Sequence, residues 1–383
     1  MRPWKITAVL GMACVLTVSS AFGSMAWTER PETIDEETWA RLHDNVLEYD
    51  EIGNLVEYYN PTYRQLVQNL QVNLQPLEDA AAQLRGAAKD MIADANGIKE
   101  DDPMSEAIYR GSAKMYQDIA KQYEKGIKSA RSSARSGFNQ ARKQLTSGVQ
   151  QLFLGYCQAL ASKEMADTAA QLAQEAYNST VTRRSLGMAT DTEVQSALNS
   201  LQSAEAGQQS LNDTLNNLRQ NLQFMAGWSA DAQVAVGACP VPDLSKIDAM
   251  NPENDLETAI SNNYTYIDQR KASGKGTANR DAKFRTLDES EAKIKIQLES
   301  LYQAVLQNKA AYEASRLALE SAQLTMNGNN LKYQQGMLGK LEYLQLKVAY
   351  LQQKAAADAA SISLVQAMEN YCWAVEGLAD ITQ

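Results

Sequence analysis

Apolar and polar positions along this chain recur with the period of a helix, and no segment alternates with the period of two that a half-buried strand would show. From residue 61 the pattern reads as long helices separated by brief breaks. A helix opens near Pro61, after Tyr58-Tyr59-Asn60, with proline in its first turn, and runs to about Ala95. The segment "NGIKEDDP" breaks it, and a very long helix is expected from Met104 to Arg184. Gly187 turns the chain into a helix over Asp191 to Met225. Past "CPVPDLSKIDAMNP" a short helix is predicted over Asp255 to Ala272, then the break "SGKGTAN" and a long helix over Arg280 to Gln335. Gly336 makes the next turn, and a last helix spans Lys340 to Leu378.

Prolines support this reading, since a helix interior tolerates them badly. None occurs between Met104 and Cys239, or after Pro252; Pro76 sits inside a helical pattern and is expected to kink it. At 1.5 Å per residue the first long helix would measure ~120 Å, against ~53 and ~53 Å for the helices before and after it. The second would measure ~84 Å, against ~27 and ~59 Å. In each half two shorter helices therefore fit end to end beside one long one. The expected organisation is a leader at 1–23, a first repeat at 24–238, a linker at 239–252 and a second repeat at 253–383.

The first long helix has a repeat of its own. Met104, Met115, Gly126, Gly137 and Gly148 stand eleven apart, with Ile108, Ile119, Ala130, Ala141 and Leu152 four residues on. Eleven residues in three turns let an apolar stripe run nearly straight. An ordinary coiled-coil dimer would place Leu or Ile at most of these positions. Gly and Ala favour close approach of neighbours in a wider, many-helix wall.

The two turns are written alike. "TRRSLGMATDTEVQSAL" and "LKYQQGMLGKLEYLQL" share Gly-Met and a Glu six residues past the glycine. Gly187 and Gly336 supply the left-handed residue that ends a helix. Thr190 then caps the next helix, with Glu193 closing a capping box; Gly339 and Glu342 hold the same places in the second copy.

Composition narrows the chemistry. The net charge of −10 argues against nucleic acid or an anionic lipid surface as partner. Arg2 and Lys5, the apolar run from Ile6 to Val18 and Ala21-Phe22-Gly23 read as a cleaved export signal; lipidation at Cys14 is the alternative. No later stretch is apolar and long enough for a membrane span. Cys157, Cys239 and Cys372 would remain, too few for a disulfide scaffold, with packed free thiols favoured over a single bridge. His43, the one histidine, is expected at the surface or in packing. No metal-ligand cluster, cofactor motif or phosphate loop is present in "SGKGT" or elsewhere, so no metal, cofactor or enzymatic activity is expected. The sequons at Asn178, Asn212 and Asn263 are expected in helices, without significance.

The order and spacing of these features resemble the TolC-like outer-membrane efflux proteins, over about Leu42 to Leu378. The resemblance rests on "YYNPTYRQL" and "SNNYTYIDQR" at the helix starts, with Tyr264 in place of proline in the second. It rests also on the two glycine turns with their Ala-rich returning helices, and on Gly227-Trp228 and Gly377-Leu378 where those helices end. It implies an all-α protomer of elongated antiparallel hairpins in two repeats, a homotrimeric tunnel, and coupling to a periplasmic-adaptor-like protein and an ABC or other export pump across the cell envelope. The adaptor-binding tip would be Leu186, Gly187 and Met188 with Gly336, Met337 and Leu338. The pore constriction would involve Glu193, Glu342 and Gln345, where glutamine replaces a family carboxylate and weakens cation selectivity. The family's membrane-spanning strands have no room here, since one needs ~9–11 residues. A β-barrel is therefore not expected, and direct membrane insertion is doubtful. The mature chain should stay in solution without detergent. A non-conducting helical rod with a structural or interaction role is the other reading.

Overall fold

At Asn60 and again at Asn263 a short helix gives way to another, and these two joints organise the fold. The computed structural model describes residues 34–98, 102–229, 232, 234–272 and 277–381. The expected leader with Cys14, and most of the charged run Lys99 to Asp102, lie outside the described residues. The first half comprises α1 (Glu36–Arg41), β1 (Val46–Leu47), α2 (Ile52–Tyr59), α3 (Pro61–Ile98), α4 (Pro103–Ala161), α5 (Lys163–Ser185), α6 (Asp191–Met225) and β2 (Ala235–Val236). The second comprises α7 (Leu244–Ala249), α8 (Pro252–Asn262), α9 (Tyr264–Lys271), α10 (Thr277–Gln334) and α11 (Lys340–Trp373). The only sheet among the described residues is a parallel pair, Val46 with Ala235 and Leu47 with Val236.

The fold is all-α, built of elongated antiparallel hairpins in two repeats. α3 lies beside α4, tied by Arg85–Glu124 and Arg131–Glu78 ion pairs. α6 lies beside α5, tied by Gln208 to Asp167 and by Lys163 to Asn212. In the second repeat α9 and α11 follow one another along α10: Tyr266 bonds Glu291 near one end, and Tyr343 bonds Asn330 near the other. α11 joins the repeats, through Trp373–Gln150 at 2.8 Å on α4 and Lys354–Glu164 and Lys340–Glu175 on α5. Below the joints each chain thus presents four helices side by side, in the order α6, α5, α11, α10.

Apolar burial concentrates beside each joint. Leu42, Ile52, Leu55, Phe153, Leu154 and Leu222 form the first core, which Ile362 and Val365 of α11 complete. Ile247, Ile294, Leu298, Leu364 and Tyr371 form the second. Each fully buried Leu, Ile or Phe contributes about 1.5–3 kcal/mol, so these knots anchor helices whose far ends have little core.

Four expectations change. The long first helix lapses at Ser162, whose N–H turns to Ala159 and Leu160, so it is α4 and α5. The short helix of the second repeat is likewise α8 and α9, divided at Asn263, which is therefore a buried cap between helices and not a helical residue. Cys157 and Cys239 form a disulfide rather than packed thiols, fastening the linker to the end of α4; Cys372 is free. Finally, the seam between α3 and α4 follows seven-residue spacing, not eleven: Leu74, Ala81, Ala88 and Ala95 meet Ala113, Ala120 and Ile127, all buried. Alanine on both sides lets the helices approach closely. Met104, Ile108 and Met115 of the eleven-residue stripe stay exposed.

Candidate functional site

The tips are two copies of one backbone motif. At the first, Gly187 N–H donates to Arg184 O at 2.9 Å and Met188 N–H to Arg183 O at 2.7 Å. At the second, Gly336 N–H donates to Tyr333 O at 3.0 Å and Met337 N–H to Lys332 O at 2.8 Å. The paired bonds satisfy carbonyls that the helix end would orphan, and they need a left-handed residue at the glycine. Both glycines have φ 73. The Lys340–Glu175 pair puts both tips at the same end of the molecule.

The predicted tip residues are presented to solvent. Leu186, Met188 and Met337 are each about two-thirds or more exposed, at 66%, 65% and 71%, while Leu338 is half-buried. Apolar side chains standing out at a turn are candidates for a contact surface. Behind the second tip Tyr333 and Tyr343 stack at 4.1 Å, stiffening the hairpin.

The predicted constriction residues differ from one another. Glu193 closes the capping box: its carboxylate accepts from the Thr190 N–H at 2.6 Å, and Thr190 Oγ1 accepts from the Glu193 N–H at 3.2 Å. The Thr190 N–H, and after it the Thr190 hydroxyl, holds the Glu193 carboxyl below the usual range. Gly339 has no side chain to cap α11, so Glu342 has no reciprocal box. Glu193, Glu342 and Gln345 are all exposed, and no hydrogen bond within the chain joins them to each other.

The joints carry geometry that motif reading passed over. Asn60 Nδ2 donates to Met225 O at 2.6 Å, and its Oδ1 accepts from Tyr63 N–H at 2.9 Å. Asn263 repeats this, donating to Ala379 O at 2.8 Å and accepting from Tyr266 N–H at 2.9 Å. Each asparagine caps an outgoing helix while holding the end of a returning one. Gly227, at φ 85, lies so close that a Cβ would sit 2.2 Å from Tyr59 O; at Gly377, φ 101, it would sit 2.2 Å from Asn262 O. The signal was visible as Asn before each helix and Gly after each returning one, but sequence could not pair them.

A cavity of about 520 Å³ lies against the disulfide, lined by Lys163, Glu164, Asp167, Lys354 and Asp358 among others. His43 packs on Trp39 at 4.2 Å and Tyr59 at 6.0 Å, with Nδ1 2.7 Å from Trp39 O. Among the described residues no three His, Cys, Asp or Glu side chains group as a metal site, and no helix is long and apolar enough to cross a membrane.

No protein-family model and no curated protein matches the chain. Among solved structures it is similar to the Campylobacter jejuni CmeC outer membrane channel, at 15% identity over 96% of this chain and 95% of that one, TM-score 0.45. It is similar also to the outer-membrane channel OprN, at 10% identity, 88% and 92% coverage and TM-score 0.47. The outer membrane protein VceC of Vibrio cholerae matches at 11% identity, 87% and 97% coverage and TM-score 0.46. These three structures are of outer-membrane proteins.

Proposed function

We propose that this chain is the protomer of an exported, TolC-like helical tunnel, a homotrimer whose tips engage a periplasmic-adaptor-like protein and an ABC or other export pump. The observation that carries the reading is the pair of matching glycine tips, one per repeat, pointing the same way with Leu186, Met188, Met337 and Leu338 at their ends. A rod with no partner at that end has no use for two such turns. In this reading four helices from each of three copies form a twelve-helix wall, Glu193, Glu342 and Gln345 line its narrow end, and the protein conducts a substrate rather than transforming one. The wall stays in the cell envelope without a barrel of its own: only residues 99–102 separate α3 from α4 and residues 272–276 separate α9 from α10, too few for a spanning strand.

The test is mass and shape. Light scattering of the mature protein should give three protomers, and negative-stain images should show rings with a central hole end-on. Monomeric rods across a wide concentration range would favour the structural reading instead. With the trimer in hand, Met188→Asp with Met337→Asp should abolish capture of the cognate adaptor without changing the trimer mass.

A further inference from the structure

We propose that the α3–α4 hairpins of three copies pack side by side into a six-helix tube that extends the tunnel beyond the level where the second repeat ends. The inference rests on the trimeric reading above and adds a surface that reading leaves unspecified. α3 runs 38 residues past its joint, whereas α9 runs 8. The first hairpin therefore projects ~45 Å further, and beyond Arg142 its ion pairs are internal to the hairpin.

Two charged stripes on that projection lack ionic partners. On α4, Lys114, Lys125, Lys128 and Arg135 are exposed and form no ion pair among the described residues. On the outer side of α3, Asp90 and Asp94 form none, and Asp79 meets only the Gln75 amide at 2.9 Å. The Arg85–Glu124, Arg131–Glu78 and Arg110–Asn96 contacts fix the antiparallel register. In that register Lys114 is level with Asp94, and Lys125 and Lys128 are within about a turn of Asp79. Inside one hairpin they cannot meet, because the Ala88–Ala120 seam lies between them. Placed at equal height, α4 of one copy and α3 of the next bring them together. Asp118, which would fall level with Asp90, is neutralised by Lys121 at 3.4 Å.

Between the charges both outer sides carry small residues: Ala82, Gly86, Ala93 and Gly97 on α3, and Gly111, Gly126 and Ser129 on α4, all exposed. A Cβ at any of these four glycines would meet nothing within 4 Å. Glycine inside a helix destabilises it, and a neighbouring helix at close range would compensate. Asp79 and Asp90, Ala82 and Ala93, Gly86 and Gly97, and Lys114 and Lys125 all stand eleven apart. That spacing keeps an interface straight, whereas the seven-residue seam serves the contact within the chain. With helix axes 8–10 Å apart, a ring of twelve helices leaves a lumen ~30 Å wide and a ring of six leaves ~10 Å. The tube would thus be a narrow neck at the end opposite the tips.

Cysteines at Gly86 and Gln122 test this, being at equal height on the outer sides of the hairpin. In the full chain, oxidised G86C/Q122C should run as a covalent trimer on a non-reducing gel. Swapping charge on one side only, D79K/D94K or K114D/K125D, should cut that yield at least fivefold, and combining the swaps should restore it; failure to restore overturns the pairing. A trimeric preparation that gives only the monomer band overturns the neck and leaves the trimer standing. A monomeric preparation overturns both.

Discussion

The two repeats share a joint and differ in what they build on it. In the first, Asn60 and Gly227 hold a 38-residue helix; in the second, Asn263 and Gly377 hold one of 8. The first is also closed by the Cys157–Cys239 disulfide, which spans 82 residues and encloses the whole α5–α6 hairpin; the second has none. The joint is therefore the shared architectural element, and the outgoing arm is where the repeats were free to diverge. An arm's length is limited by its own seam, not by the joint, because each added turn of α3 finds its own turn of α4.

The joint glycines give the sharpest test of that equivalence. Gly227→Ala and Gly377→Ala each force a Cβ onto a carbonyl in a left-handed backbone, and each should cost more than ~3 kcal/mol in urea melts. A large cost at one and none at the other would end the claim that the joints are alike. The disulfide sharpens the difference between them: C157S/C239S should lose about 3–4 kcal/mol, while C372S should lose little. Equal losses would mean that covalent closure of the first hairpin contributes nothing particular.

Smaller effects follow at the caps. Asn60→Ala and Asn263→Ala remove a cap and leave a buried carbonyl unpaired, and each should cost about 1–2 kcal/mol. The tip glycines stand in open space, so Gly187→Ala and Gly336→Ala should cost only the backbone term, about 1 kcal/mol each. A much larger value would reveal a contact at the tips.

The smallest effect is a pH dependence at the first tip. The Glu193 carboxyl is depressed in the folded state by the Thr190 N–H and hydroxyl. Its contribution is therefore present above the unfolded value of about 4.3 and is lost as pH falls through the folded one. Chemical melts from pH 7 to pH 3 should show a shallower acid loss for Glu193→Gln than for the parent. Matching profiles for the variant and the parent would remove the contribution assigned to the capping box.

Sequence alone determined the helical class, the two-part organisation and the tips. Each follows from local physics: period, proline placement and the left-handed residue that a helix end requires. α6 falls at Asp191–Met225 as read from its cap and its last apolar turn. Only tertiary structure could decide which helix meets which. Asn60 reaches Met225 and Asn263 reaches Ala379 across long stretches of chain, and a single asparagine carries no mark of its distant partner. The α3–α4 seam escaped for a related reason: α4 carries seven-residue and eleven-residue patterns on different faces, and both are apolar. Which one binds inside the chain depends on where the matching alanines of α3 fall once the hairpin has closed. The disulfide is likewise a consequence of folding, since Cys239 is brought to Cys157 only when α6 has returned along α5 and β2 has paired with β1.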